Sequence, residues 1–174
     1  MSVVHVQWEG PLDREAMSKA DQAPTDFGVY QVYGSHPVYG LKTLLYIGKA
    51  QDQTFARRLS QHGWWFDREN GQGELSFFLG RLAGSTTPSD AEWGLQIAQV
   101  EGVLLVAHKP SYNAQSIKDL GNMDNAIGHL HVLNWGSFGS LLPEVSAARW
   151  TQRLTDPPNY DLYGKHSKSP GKPA

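Results

Sequence analysis

Two tyrosines, a set of cations and one carboxylate are the residues of this chain best suited to chemistry. Tyr30 closes the string Gly28-Val29-Tyr30, and Tyr46 opens the string Tyr46-Ile47-Gly48. Lys49 follows at once, and Arg57 and Arg58 come soon after. Glu101 stands alone in an apolar segment, and Asn113 lies just beyond Pro110. A phenol can accept or relay a proton, Lys and Arg can bind phosphate, and a carboxylate can hold a hard divalent ion. Those are the parts needed to cut a phosphodiester.

Local elements must position these groups. Val29–Tyr33 and Thr43–Ile47 are β-branched and aromatic, so both read as strands. The turn between them, Gly34 to Gly40, is too short for a parallel crossover, so they form an antiparallel hairpin. Gln53–His62 reads as a helix with Asp52 or Thr54 as N-cap and Gly63 beyond its end. Phe55 and Leu59 form its buried stripe, and Arg58 and His62 share another face. Trp64-Trp65-Phe66 and a Gly-rich loop follow. Leu75–Leu82 reads as a third strand.

Ser89-Asp90-Ala91-Glu92 fits a capping box and starts a long helix that ends before Pro110. Trp93, Ile97, Leu104 and Leu105 are its apolar stripe. Tyr112–Gly128 reads as loop, Leu130–Trp135 as a strand and Leu141–Leu154 as a final helix. Near the N-terminus, Val3–Trp8 is a short strand candidate. Residues 155–174 hold four Pro with several Lys and Ser and read as a flexible tail.

Glu101 lies one helical turn from both Ile97 and Leu105, on or beside the apolar stripe. A carboxylate there wants a cation, either an Arg or a metal, unless it stands at the rim of the stripe. Asn113 either locks a loop or presents an amide to the site. Lys49 directly follows a strand, but the Gly spacing of a phosphate-cradling loop is missing. The seven histidines form no zinc signature, and His129-Leu-His131 is only a strand-type alternation.

Composition fits one globular chain of 174 residues, 40% hydrophobic and 18% charged. There is no Cys, which excludes disulfides and thiolate chemistry. No basic-then-apolar leader opens the chain and no apolar run is long enough to span a membrane, so a cytoplasmic, non-membrane protein is expected. The net charge is −2, yet residues 42–81 carry six Lys/Arg against four Asp/Glu. That basic segment coincides with the suspected site.

Taken in order, Gly28-Val29-Tyr30, Tyr46-Ile47-Gly48-Lys49-Ala50, Arg58-Leu59, Glu101 and Asn113 resemble the motifs of the GIY-YIG nuclease family. The resemblance spans roughly residues 27–114. It implies an α+β fold with a small three-stranded antiparallel sheet flanked by helices, the site lying on one face. Around that core would stand an N-terminal extension (1–26), a C-terminal strand-helix extension packed on it (115–154) and the tail (155–174).

The resemblance also implies roles. Tyr30 would orient or deprotonate the attacking water, assisted by Tyr46, in the hydrolysis of DNA. Arg58 would bind the scissile phosphate, Glu101 would hold one Mg²⁺ or Mn²⁺, and Asn113 would support the site. Gly48, Lys49 and His62 would be supporting residues, with Lys49, Arg57, Arg58 and His62 contacting DNA. Arg57 competes with Arg58, which is preferred because Leu59 follows it. Independently of the resemblance, a phenol ionises at about pH 10, so either Lys49 or Arg58 would ease ionisation of Tyr30, with Lys49 the expected helper, or Tyr30 relays the proton without holding a full charge.

RNA stays open as a substrate, and residues 115–154 offer a surface for a protein partner. A silent DNA- or protein-binding module and a toxin-like nuclease are the alternative readings. Restriction, repair and mobile-element processing are equally open.

Overall fold

The computed structural model describes residues 2–23, 25–62, 74–113, 127 and 129–148. Within them the chain is α+β, built on one six-stranded mixed sheet. The strands are β1 (Ser2–Leu12), β2 (Gly28–His36), β3 (Gly40–Ala50), β4 (Ser76–Ala83), β5 (Leu130–Gly136) and β6 (Glu144–Ser146). The helices are α1 (Arg14–Ser18), α2 (Phe55–Ser60) and α3 (Asp90–His108). The sheet order is β3-β2-β4-β1-β5-β6. All neighbours are antiparallel except β1 and β5, which run parallel.

This corrects the three-stranded expectation. The sheet curls as a half-barrel rather than stopping at three strands. Two further segments of the chain complete it. Ser2–Leu12 does not lie outside the sheet but pairs with β4 on one side and β5 on the other. Its alternation of buried Val4, Val6 and Trp8 with more exposed Val3, His5 and Gln7 is what one face on a core demands. The expected helix at 141–154 is also corrected where it is described. Pro143 gives its carbonyl to Asn134 N–H, and Glu144–Ser146 pairs with β5. The remaining residues of that expected helix, the Trp64–Phe66 string, most of the 112–128 loop and the tail fall outside the described residues.

Two cores form, one on each side of the sheet. On the first, α3 packs its buried Ile97, Val100, Val103 and Leu104 against Val4, Val6, Trp8, Val29 and Ile47. On the second, Met17, Ala20, Phe55 and Leu59 from the α1–α2 region cover Tyr30, Val32, Phe77 and Leu79. The capping box is present: Ser89 Oγ accepts from Glu92 N–H, and the Glu92 carboxylate accepts from Ser89 N–H. Lys109, in a left-handed conformation, closes the other end before Pro110. α3 is apolar on more than its expected stripe, since Val100, Val103 and Val106 are also buried.

Candidate active site

Arg58 is placed by the segment that precedes β2. The first N–H groups of α2 need acceptors outside the helix. Phe55 N–H takes the Asp26 carbonyl at 2.9 Å, and Ala56 N–H takes the Ala20 carbonyl at 3.0 Å. Thr54 Oγ1 donates to the Asp21 carboxylate rather than capping the helix itself. Asp21 also holds Arg57, whose Nε lies 3.1 Å from Oδ1. Arg57 is thereby turned toward the N-terminal segment, while Arg58 donates to Gln61 Oε1 at 3.2 Å. Asp21 and Gln61 gave no signal in the sequence, because their importance follows only from how α2 docks.

The two tyrosines meet across the hairpin. Tyr30 on β2 pairs in register with Gly48 on β3. The Tyr30 and Tyr46 rings stack at 6.1 Å between centroids, and Tyr46 continues to His62 at 5.7 Å. Gly48 is what makes this possible. A Cβ at that position would lie 2.5 Å from the Tyr30 hydroxyl and 2.6 Å from the Tyr46 ring. Gly48→Ala should therefore cost about 2 kcal/mol of stability through overpacking and push Tyr30 out of place. Urea unfolding checks this, and an unchanged midpoint would contradict it.

Burial dominates the electrostatics. Tyr30 is fully buried, and its hydroxyl meets no described partner in hydrogen-bonding geometry. Burial pushes its ionisation far up, with Tyr46 adding to the rise. The Arg58 guanidinium acts in the opposite direction, and Glu101 raises it slightly further. Tyr46 is likewise raised, first by burial and then by Glu101, against Arg58. Burial and Arg58 both hold His62 below the usual imidazole range.

Glu101 reaches the same place from the other core. Its carboxylate is raised by burial, against the pull of Lys49 and Arg58. Lys49 Nζ stands 3.7 Å from Glu101 Oε2. Of the two cations the sequence offers to Tyr30, Arg58 acts on it, and Lys49 stands against Glu101. Residues from both sides of the sheet meet at β3 because β3 is its edge strand.

Asn113 locks that edge. Its Oδ1 accepts from Ile47 N–H at 2.9 Å, and its Nδ2 donates to the Ile47 carbonyl at 2.8 Å. Tyr112 N–H bonds the Leu45 carbonyl at 2.9 Å. The open hydrogen-bonding edge of β3 is satisfied in this way next to the tyrosines. With both its polar atoms engaged on Ile47, Asn113 positions the site rather than touching a substrate.

Comparison with protein-family models, curated proteins and solved structures finds no match for this chain. The argument for function therefore stands on the cluster itself. Among the described residues, no three His, Asp or Glu gather as a preformed metal cage. Glu101 is the carboxylate available in the cluster. One carboxylate fits a hard divalent ion that keeps its waters and takes further oxygens from a phosphate. No helix among the described residues is long and apolar enough to cross a membrane.

Proposed function

We propose that this chain is a metal-dependent endonuclease that hydrolyses DNA phosphodiesters, in the manner of the GIY-YIG nucleases that its motifs resemble. The observation that carries the reading is the convergence of two stacked buried tyrosines, one guanidinium and one carboxylate around Gly48. Glu101 would hold a single Mg²⁺ or Mn²⁺, which when bound supplies Lewis-acid and leaving-group stabilisation. Arg58 binds the scissile phosphate and balances its developing charge.

Tyr30 is not a standing phenolate, since burial holds its proton on. It would act as a relay: it takes the proton of the attacking water as its own passes to Tyr46, whose side chain lies against the Tyr30 hydroxyl, and the Tyr46 proton leaves to solvent. His62 packs on the Tyr46 ring, and burial with Arg58 disfavours its charged form, so it positions Tyr46 rather than holding the proton. Lys49 keeps Glu101 ionised and oriented.

The test is incubation of an end-labelled DNA duplex with the full chain and Mg²⁺ or Mn²⁺. Internal cuts that leave 5′-phosphate and 3′-hydroxyl ends, and that stop with EDTA, support the reading. Tight binding without cleavage under every divalent ion would instead favour a binding module on the same scaffold.

A further inference from the structure

The β2–β3 hairpin carries a feature that the cleavage cluster does not use. Its tip exposes Val38, Tyr39 and Leu41 at 79%, 68% and 81% of their possible surface, the highest among the large hydrophobics of the described residues. An apolar tip on an edge hairpin is a liability unless something covers it.

The tip is also built to hold its shape. His36 Nδ1 accepts the N–H groups of Val38 at 3.1 Å and Tyr39 at 3.2 Å. The His36 ring stacks on Tyr39 at 4.6 Å and meets Tyr112 at 5.4 Å. A turn braced by a ring on one side and by the 111–113 segment on the other presents its side chains with little entropy left to lose on contact.

Charge identifies what it would meet. Lys49 is engaged by Glu101 at the far end of β3 and does not count here, but residues 33–48 carry Lys42 and no carboxylate, and residues 102–113 carry Lys109 and no carboxylate. In a chain of net charge −2, the hairpin end is therefore selectively basic. Lys42 stands beside Leu41 with a left-handed backbone at φ 54°. Apolar side chains flanked by cations match the way wedges enter a groove, unstacking a base step while lysines meet the phosphates.

We propose that Val38, Tyr39 and Leu41 form a wedge that enters duplex DNA beside the cleavage cluster. The proposal rests on the nuclease reading for the class of polymer, but not for the cutting step. The hairpin runs from the wedge to the tyrosines, with register shifts between Val32 and Tyr33 and between Gly34 and His36. From Leu41 to Tyr46 it spans about 15 Å, or four to five base-pair rises. The unstacked step thus lies that far from the cut bond.

The experiment uses the full chain in Ca²⁺ with duplexes of about 30 base pairs in which 2-aminopurine is scanned through the centre. Wild type should brighten the probe at one position. A variant carrying Val38→Ser, Tyr39→Ser and Leu41→Ser should lose that signal and bind about tenfold more weakly, the scale of one lost stacking contact. All three sites are exposed, so circular dichroism should show the fold retained, and Tyr39→Phe in place of Tyr39→Ser keeps the His36 stack as a control for loss of the turn's shape. Lys42→Ala should reduce the salt slope of binding by about one.

Brightening and affinity unchanged in the triple variant would overturn the wedge while leaving the nuclease reading intact. Brightening that depends on the tip, in a protein that never cuts, would sustain the wedge and remove the nuclease. A wild-type dimer that the triple variant converts to monomer, with DNA binding unaffected, would assign the tip to a second copy and also overturn the proposal. No DNA binding by wild type would overturn both.

Discussion

Tyr30→Phe should yield a protein that is more stable than wild type and nearly inactive. The substitution removes one oxygen and leaves the ring in place. That oxygen is buried, and the Arg58 and Tyr46 side chains that reach it stand outside good hydrogen-bonding geometry. A buried polar atom in that state costs about 1–3 kcal/mol, so its loss should raise stability by about 1 kcal/mol. In the proposed reaction the same oxygen takes the proton of the attacking water. Its loss should lower the cleavage rate about 10²–10⁴-fold, the range of a missing proton-transfer group.

Gain of stability with loss of rate is the signature of a group retained for function. Urea unfolding and single-turnover cleavage of the same preparation check both halves. A destabilised Phe variant, or one that cuts at the wild-type rate, would contradict the relay. The pH dependence should follow the same logic. Glu101 must be ionised to hold a metal, and burial keeps its proton on above the usual carboxylate range. Cleavage should therefore fall on the acid side as pH drops through the raised Glu101 value.

Asp26→Ala should cost about 3 kcal/mol. Asp26 Oδ1 accepts from Arg81 Nη2 at 2.6 Å and Nε at 3.2 Å, and Oδ2 accepts from Gln22 N–H at 2.8 Å. The Asp26 side chain is 8% exposed and Arg81 31% exposed. Removing the acid leaves a half-buried guanidinium held by Glu9 at 2.9 Å and by the Phe55 ring at 5.6 Å. Breaking one side of such a pair costs more than the pair contributes, because the stranded charge remains.

The loss should reach the site as well, since the Asp26 backbone caps α2 and α2 carries Arg58. Adding Arg81→Leu to Asp26→Ala should restore part of the stability, as removal of both partners does for buried ion pairs. A change below 1 kcal/mol in Asp26→Ala would show that Arg81 is satisfied by other means.

What was legible in the sequence was local. The hairpin strands, the capping box at Ser89 and the third strand before it all follow from short-range pattern, and each stands where expected to within a few residues. The extent of the sheet was not legible. β1 and β5 are separated by more than a hundred residues, and nothing in Val3–Trp8 says which strand it will join. β6 is three residues long and sits in a segment whose Leu, Ala and Arg content favours helix, so tertiary pairing overrode propensity.

The same division holds for the site. Tyr30, Tyr46, Arg58 and Glu101 were found as residue types in order, and the structure brings them together. Which cation serves which acid was invisible, because it depends on side-chain direction at β3 and α2. Asn113 could be singled out, but not its two bonds to Ile47 across 66 residues.

The central claim is that Glu101, Arg58 and the tyrosine pair together make a metal-dependent phosphodiesterase. The most direct measurement is nicking of supercoiled plasmid in Mg²⁺ by wild type and by Glu101→Gln, purified side by side. Gln keeps the shape of the side chain and removes a charge whose burial is unfavourable, so the variant should remain folded. Nicking by wild type that EDTA abolishes, and that Glu101→Gln lowers at least about 10³-fold, is the expected result. Equal nicking by a folded Glu101→Gln protein would contradict the account, because the cut would then not be made at this cluster.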